Sequence, residues 1–328
     1  MKLFNMDLHI SVIADFKHLF PEFDITHWCM SGHSWVFGLS SVCPKHINPS
    51  TWTSLNAAQI EKFQEEYDDF LRQFDGFICG HPNGFIPIFE KYGKPIIMIN
   101  SCRYDLPFCW SKNKEMLQSY KQCLKRLNEN GRLIAVSNNK ADQEYTRIGC
   151  GILTTHIPSL CAYTGIQYSP TRNTFLGWGN LPEHPLITPK SKLGSPYKWS
   201  DISTFKGIVV IPYEISTMSM FEFFSGGMPI FFPSKQMMLQ HYRIQSVSAY
   251  WGSNLPPDLI DFSDIKVWLD LADFYEVFQS PNIYIFESFD HLIQLLVEFE
   301  WKDDREILEN YKTNIRNSWV KLLTPSLL

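Results

Sequence analysis

The stretch that decides the fold covers residues 207–234, GIVVIPYEISTMSMFEFFSGGMPIFFPS. It opens with the β-branched apolar run Ile208–Ile211, which is typical of a strand covered on both faces. A helix follows and ends at Gly226–Gly227, and the apolar run Ile230–Phe232 predicts a second buried strand. The stretch therefore predicts a strand, a loop, a helix and a strand. Units of this kind hold ligands at the carboxyl ends of their strands.

Two carboxylates occupy this unit at a defined spacing. Glu214 lies in the loop after the first strand, and Glu222 lies in the helix between Phe221 and Phe223. A carboxylate among aromatic side chains needs a polar partner. The hydroxyls of a sugar or ribose would serve, because an ionised carboxylate is a strong acceptor. The alternative reading is a pair of ordinary surface glutamates.

The spacing of these glutamates resembles a known family. Together with Ser225–Pro229 (SGGMP) and the apolar strand that follows, they resemble the E-x7-E region of nucleotide-sugar glycosyltransferases with the GT-B fold, of the family 4 type. The resemblance implies an α/β fold of two Rossmann-like domains that face each other across a cleft, with the donor on the C-terminal domain and the acceptor on the N-terminal one. It also implies that Glu222 binds the donor ribose and that Glu214 lies by the donor sugar as a catalytic residue.

Length and composition limit the classes of protein to consider. The 328 residues suit two domains, and a net charge of −5 argues against a nucleic-acid partner, which would favour a basic surface. No apolar run is long enough to predict a transmembrane segment, and the N-terminus lacks the pattern of a secretory signal. The eight cysteines form no CxxC pair and predict reduced thiols. We therefore expect a cytoplasmic protein.

The first half of the chain alternates strands with helices. This pattern predicts a parallel, doubly wound sheet whose strand ends share one edge. We place the first strand at His9–Ile13. By the resemblance, His81 at a later strand end is a catalytic candidate, and we expect His33, Asn100 and Arg103 on the acceptor side. A histidine that merely holds its loop, and an ordinary surface loop around His33, stay open as alternatives.

The second half supplies the predicted donor domain. Residues 173–179 resemble the first strand and glycine turn of the family's donor domain, where Gly177 and Gly179 would let phosphates approach the backbone. The family normally has basic residues against the diphosphate, but none here stands in a recognisable motif, which leaves room for a degenerate donor site. The remaining donor-binding candidates are Arg172 and Lys192 for the diphosphate and the helix-capping residues Ser216 and Thr217.

Turn-rich composition and helical periodicity suggest the domain limits. Residues 162–171 (AYTGIQYSPT) predict a connection, so the N-terminal domain covers residues 1–162 and the donor domain residues 163–302. An apolar stripe predicts a final helix. The resemblance implies that this segment, residues 303–328, packs back on the N-terminal domain.

The leading prediction is an enzyme of glycan biosynthesis. It would move a hexosyl or related sugar from a nucleotide-sugar donor to a carbohydrate or glycoconjugate acceptor, and the resemblance implies retention of configuration. We expect no metal and no other cofactor, because helix ends and basic side chains can neutralise a leaving diphosphate. Two alternatives stay open: a sugar-nucleotide epimerase on the same two-domain plan, and a catalytically silent carbohydrate-binding or scaffold protein of this fold.

Overall fold

The chain divides into two compact units. We describe a computed structural model of the protein over residues 1–31, 42–111, 113–194, 196–241 and 265–324. Of these, unit 1 contains residues 1–158 and 317–324, and unit 2 contains residues 159–241 and 265–316. The chain passes from the first unit to the second after Pro158, slightly before the limit expected from the sequence.

Unit 1 is built on a sheet of six parallel strands in the order β2-β1-β3-β4-β5-β6. Three of the four interior strands, β3, β4 and β5, are buried at every residue, as expected for strands covered on both faces. Because the strands are parallel, their carboxyl ends share one edge. The strands are Lys2–Asp7 (β1), Asp24–Cys29 (β2), Gly76–Cys79 (β3), Ile96–Asn100 (β4), Leu133–Ser137 (β5) and Thr155–His156 (β6).

The helices of unit 1 begin and end on residues with local reasons to do so. Asn56, Asn113 and Asn139 each cap the following helix, since their side chains accept a backbone N–H of its first turn. Gly151 ends the last of these helices in a left-handed conformation, with φ of 77°. The α-helices are Ile10–Leu19, Ala57–Leu71, Ile86–Phe89, Phe108–Ser111, Lys114–Glu129 and Lys140–Cys150.

The strand predicted at His9–Ile13 is wrong. That segment opens the helix Ile10–Leu19, whose buried apolar residues recur at helical spacing. The true first strand, Lys2–Asp7, is harder to recognise because it buries two polar side chains, Asn5 and Asp7. The Asn5 amide donates to the carbonyl of Ile78 at 2.9 Å, which offsets part of the free-energy cost of burying this polar side chain.

Unit 2 contains a second parallel sheet, of five strands in the order β11-β10-β9-β7-β8. The predicted strand, helix and strand of residues 207–234 are confirmed as β9, Met218–Ser225 and β10. The strands are Phe175–Trp178 (β7), Ile187–Pro189 (β8), Ile208–Val210 (β9), Ile230–Pro233 (β10) and Ile283–Phe286 (β11).

The helices of unit 2 bury one face of the sheet in an apolar cluster that includes Phe175, Phe231 and Leu292. Both units are therefore α/β with parallel sheets, and the predicted fold class is confirmed to this extent. Ser288 caps the helix Phe289–Val297, since its hydroxyl accepts the backbone N–H of His291 at 3.1 Å. The α-helices are Trp199–Ile202, Met218–Ser225, Lys235–His241, Ile265–Asp270, Phe274–Val277, Phe289–Val297 and Arg305–Leu323.

The predicted connection at residues 162–171, together with Leu160 just before it, is hydrogen-bonded to the end of the helix Met218–Ser225. The backbone N–H of Tyr168 donates to the carbonyl of Gly226 at 3.1 Å, and the hydroxyl of Ser225 donates to the carbonyl of Leu160. A Cβ on Gly226 would lie 2.6 Å from the Ile166 side chain, so this close approach requires glycine. The turn-forming composition of this segment predicted a connection and gave no sign of this packing.

The last helix, Arg305–Leu323, contributes to both units. Its first part belongs to unit 2, where the hydroxyl of Tyr311 donates to the carbonyl of Ser159 at 2.7 Å. Its last turns belong to unit 1, where the ring of Trp319 meets that of Phe16 edge-on at 5.3 Å.

Candidate functional site

Glu222 lies in unit 2 on the helix Met218–Ser225, and only 6% of its surface is exposed. The hydroxyl of Tyr163, on the short 3-10 turn Ala162–Thr164, donates to its carboxylate oxygen Oε1. This contact supplies one of the polar partners that a buried carboxylate needs. It also fixes the orientation of the carboxylate from the segment that leads into unit 2.

An ammonium group and two aromatic rings lie beside this carboxylate. Lys190, directly after β8, places Nζ 3.4 Å from the centre of the Trp178 ring and 5.4 Å from that of Tyr197. Trp178 packs edge-on against Phe223, the neighbour of Glu222, at 5.0 Å. Burial lowers the pKa of Lys190, and the charge of Glu222 acts in the opposite direction. Burial and then the Glu222 charge raise the pKa of Tyr197.

We call these five residues, Tyr163, Trp178, Lys190, Tyr197 and Glu222, the Glu222 cluster. Its carboxylate can accept hydrogen bonds from hydroxyls, its ammonium is a compact positive charge suited to phosphate, and its aromatic faces can stack on planar rings. Trp178 ends β7 and Lys190 follows β8, so the cluster lies at the carboxyl edge of the sheet. Ligands bind at this edge in open α/β sheets.

The other predicted residues of the central stretch form the turn before the helix. Glu214 is half-buried in the loop after β9, and its backbone carbonyl accepts the hydroxyl of Thr217 at 3.0 Å. Thr217 is the N-cap residue, but its side chain does not cap the helix. Ser216 is half-buried in the same turn. The structure therefore places all three at the carboxyl edge, next to the amino end of the helix.

Three predicted donor residues, Gly177, Gly179 and Lys192, line a cavity of about 480 Å³ in unit 2. Neighbouring residues of a strand point to opposite faces, so Gly177 and Trp178 lie on different faces of β7. A Cβ on Gly177 would lie 2.9 Å from the Ile187 side chain, which gives packing as one reason for this glycine. Lys190, rather than the predicted Lys192, is the lysine of the Glu222 cluster.

Arg172 lies at the other edge of the sheet, before β7 begins. Its Nε donates to the hydroxyl of Thr204 at 3.0 Å, and its guanidinium lies over the Phe205 ring at 4.5 Å. Thr204 and Phe205 likewise precede β9. Arg172, the candidate from the sequence for the diphosphate, is therefore held at the amino ends of the strands, whereas the Glu222 cluster lies at their carboxyl edge.

In unit 1, the carboxyl end of β1 carries a buried acid that the sequence did not single out. Asp7 is 1% exposed. Its Oδ1 accepts the backbone N–H of His9 at 2.6 Å, and its Oδ2 accepts that of His81 at 3.2 Å. Burial is the main influence on this carboxyl group and raises its pKa to about 7, against the lowering effect of the hydrogen bonds.

His81 follows β3 at the same edge, as predicted. Its ring lies 5.9 Å from that of His9 and 6.2 Å from that of Trp52. Burial, and then the charges of His9 and Arg103, lower the pKa of His81 to about 3. The imidazole is therefore neutral near pH 7, so it offers one hydrogen-bond donor and one acceptor, which matches the needs of a hydroxyl.

The predicted acceptor-side residues have different surroundings. Arg103 is buried close enough to His81 for its charge to affect that imidazole. Asn100 is fully buried: its Oδ1 accepts from Asn83 at 3.1 Å, and its Nδ2 donates to the Thr146 hydroxyl at 2.7 Å. Contact of Asn100 with an acceptor would require exchange of these bonds. They join the end of β4 to the turn after β3 and to the helix Lys140–Cys150, which indicates a structural role. His33 lies outside the described residues.

We expect His81 to destabilise the fold in acid. Its pKa is about 3 in the folded protein against 6.5 ordinarily, so between these values the unfolded chain binds a proton that the folded protein does not. The contribution of His81 to stability is thus lost as the pH falls below about 6.5. Melting temperatures of the wild type and His81→Gln between pH 4 and 8 would show a smaller acid loss in the variant. The buried Asp7 acts in the opposite direction in this window, so the difference between the two proteins is the decisive quantity. Parallel curves would contradict the expectation.

Sequence reasoning missed most of the Glu222 cluster and all of the Asp7 contacts. Trp178 and Lys190 stand where a strand ends, which is a usable signal, but β8 is too short to be recognised among prolines. Asp7 was not considered because the sequence analysis placed the first strand at residues 9–13, after this residue.

Among the residues described, no group of three or more His, Cys, Asp or Glu side chains is arranged to hold a metal ion. In the same part of the chain, we find no helix with the length and apolar character that a membrane span requires.

The chain has no match among curated protein sequences and a weak similarity to solved structures. No protein-family model and no curated protein sequence matches the chain. Among solved structures, the calicheamicin glycosyltransferase CalG4 is similar with a TM-score of 0.43 and 10% identity, covering 100% of this chain and 99% of that one. MurG from Acinetobacter baumannii gives 0.43 and 9% over 96% and 94%. The spinosyn rhamnosyltransferase SpnG, complexed with thymidine diphosphate, gives 0.42 and 8% over 99% and 96%. Because these TM-scores are below 0.5, we base the function of this chain on its own residues.

Proposed function

We propose that this chain is a glycosyltransferase that moves a sugar from a nucleotide-sugar donor to a carbohydrate or glycoconjugate acceptor. The observation that carries the proposal is the Glu222 cluster at the carboxyl edge of the unit 2 sheet. A buried carboxylate, a half-buried ammonium and two aromatic rings lie together there. These are the groups that ribose hydroxyls, a diphosphate and a planar base require. The E-x7-E resemblance points to the same ligand from the sequence.

Each part of the donor has a group in the cluster that suits it. Glu222, oriented by Tyr163, would accept the ribose hydroxyls. The ammonium of Lys190 and the amino end of the helix Met218–Ser225 favour the negative diphosphate. Trp178 and Tyr197 offer aromatic surface. This assignment replaces Arg172 and Lys192 as the phosphate contacts expected from the sequence.

The transfer breaks the bond between the sugar carbon and the diphosphate oxygen and joins that carbon to the oxygen of an acceptor hydroxyl. The proton of that hydroxyl passes to the leaving diphosphate oxygen, which gains negative charge as the first bond breaks. Positive charge near the leaving diphosphate lowers the barrier without a metal ion. By the resemblance, Glu214 lies by the donor sugar and the configuration is retained. With a pKa of about 3, His81 is too weak a base for efficient proton removal near pH 7. We assign it hydrogen bonds to a sugar hydroxyl. The proposed setting is glycan biosynthesis in the cytoplasm.

A panel of nucleoside diphosphates and their sugars tests the proposal. Binding is measured by thermal shift, because a ligand at a hundred times its Kd adds about 2.7 kcal/mol to stability. Turnover is measured as release of the nucleoside diphosphate with simple glycans as acceptors. Binding followed by turnover supports a glycosyltransferase. Binding without turnover favours the silent carbohydrate-binding protein, and interconversion of the donor sugar favours the epimerase. Failure of every nucleotide to bind would overturn the proposal.

A lysine pair separates the revised phosphate contact from the original one. Lys190→Ala is expected to weaken donor binding by roughly 5–30-fold, the equivalent of about 1–2 kcal/mol for a lost charged hydrogen bond. Lys192→Ala removes the same charge two positions away, on an exposed side chain, and should change affinity little. Titration calorimetry with the donor found in the panel measures both. The reverse order of effects would restore Lys192 as the contact.

A further inference from the structure

We infer that Asp7 is a positioning residue: it holds the backbone of His9 and of His81 together, and so spaces the two imidazoles, for the transfer reaction proposed above. The catalytic role that we give Asp7 rests on that proposed function. The hydrogen bonds that carry it are independent of the function.

One carboxylate joins two segments that are distant in sequence. His9 precedes the helix Ile10–Leu19, and His81 follows β3. The N–H of His9 donates to Asp7 Oδ1 at 2.6 Å, and that of His81 donates to Oδ2 at 3.2 Å. The carbonyl of His81 also accepts the N–H of Leu8 at 2.8 Å, so the backbone of His81 is held through both its N–H and its carbonyl. The rings that these segments carry lie 5.9 Å apart.

Only an ionised carboxylate satisfies both N–H groups at once, because it has two acceptor oxygens and no donor. An asparagine offers one acceptor oxygen and would present its own N–H groups to the second backbone donor. A protonated aspartic acid keeps one strong acceptor, its carbonyl oxygen, because its hydroxyl oxygen accepts only weakly. The geometry therefore favours the ionised form, whereas burial disfavours it.

The surroundings of Asp7 support this reading. Gly80 is the residue that lets the carboxylate reach His81, since a Cβ there would lie 2.7 Å from Oδ2 and 3.0 Å from the Val12 side chain. Among the residues that the structure describes, the titratable groups that face Asp7 are the thiol of Cys29 at the end of β2, the thiol of Cys79 in β3, and the two histidines. Burial, and then the Asp7 charge, raise the pKa of the Cys79 thiol. Both thiols therefore stay neutral near pH 7. With a pKa of about 7, Asp7 itself changes charge in the neutral range.

The test compares Asp7→Asn with a buried carboxylate that touches neither histidine. Asp105→Asn is the matched control, because Asp105 is also 1% exposed and accepts the hydroxyl of Tyr145 at 2.9 Å. In Asp7→Asn, we expect hydrogen exchange of the His9 or the His81 amide to accelerate at least tenfold. In Asp105→Asn both amides should keep their protection. Should Asp7→Asn fail to fold, Gly80→Ala displaces the same carboxylate without altering it and should give the same pattern.

Turnover gives the second readout. The wild-type rate should fall as the pH drops through about 7, where Asp7 gains a proton. Asp7→Asn should lose this acid limb and run at least tenfold slower at pH 8, close to the rate of the wild type in acid. A variant that merely destabilises the fold would keep the limb, as Asp105→Asn should. Protected amides together with an unchanged pH profile in folded Asp7→Asn overturn the inference. If the wild type transfers no sugar, the proposed function and the catalytic purpose of Asp7 fall together, while amide exchange still shows whether the carboxylate holds the two segments.

Discussion

Glu222→Gln is expected to weaken binding of the nucleotide-sugar donor by about 1–3 kcal/mol, or roughly 5–150-fold. The substitution keeps the shape of the side chain and the acceptor for the Tyr163 hydroxyl. It removes the charge and replaces one acceptor oxygen with a donor group. A ribose diol would then lose one of the two strong acceptors that the carboxylate offers it. Titration calorimetry measures the affinity, and the melting temperature without ligand shows that the variant is folded.

Glu287 provides the control for this substitution. It follows β11 at the carboxyl edge of the same sheet, and its carboxylate accepts the hydroxyl of Ser234 at 2.6 Å. Glu287→Gln makes the same chemical change at an exposed position outside the Glu222 cluster, so donor affinity should stay within about twofold of the wild type. A folded Glu222→Gln protein with unchanged nucleotide affinity would sink the assignment of Glu222 to the ribose.

His81→Ala is expected to lower turnover by roughly 10–100-fold, which corresponds to the loss of one or two hydrogen bonds made in the transition state. Donor affinity should change much less, because the donor groups assigned above lie in unit 2. Burial keeps the imidazole neutral, with a pKa of about 3, so the lost function is hydrogen bonding and not proton removal. His81→Gln retains a donor and an acceptor and should recover part of the rate.

His156 is the control for this prediction, since it ends β6 in the same sheet. Steady-state kinetics with saturating donor compares His156→Ala, His81→Ala and His81→Gln with the wild type. A His81→Ala protein that melts normally and transfers sugar at the wild-type rate would assign His81 to the loop alone.

The fold could be predicted where the sequence is locally consistent. The strand–helix–strand of residues 207–234 combines a β-branched run, a glycine stop and a second apolar run, and the structure has these elements there. The first strand could not be predicted in the same way. Its buried Asn5 and Asp7 each make a hydrogen bond with a backbone group 73 or 74 residues away, and local periodicity does not reveal such partners.

In the candidate site too, residues marked by their local sequence were predicted, and residues that depend on partners distant in sequence were not. Glu222 was predicted from its aromatic neighbours, and burial of that position is what the structure shows. Lys190 was missed because it is recognised as part of the site only by its contact with Trp178, which belongs to a neighbouring strand. Arg172 was chosen by its position along the chain, which does not reveal which edge of a sheet a residue occupies. A pairing register is needed for both, and only the folded chain supplies it.

The shared last helix has a consequence for how the protein is made. Trp319 packs against Phe16 and Phe20 in unit 1, so this unit includes residues from both ends of the chain. On the ribosome, the N-terminal sheet emerges long before the tryptophan that covers these two rings. The first unit therefore lacks the ring that packs on Phe16 and Phe20 until Trp319 has been synthesised. A chain that stops before Trp319 loses both ring contacts, so we expect the aromatic side chains of this part of unit 1 to be more exposed in it.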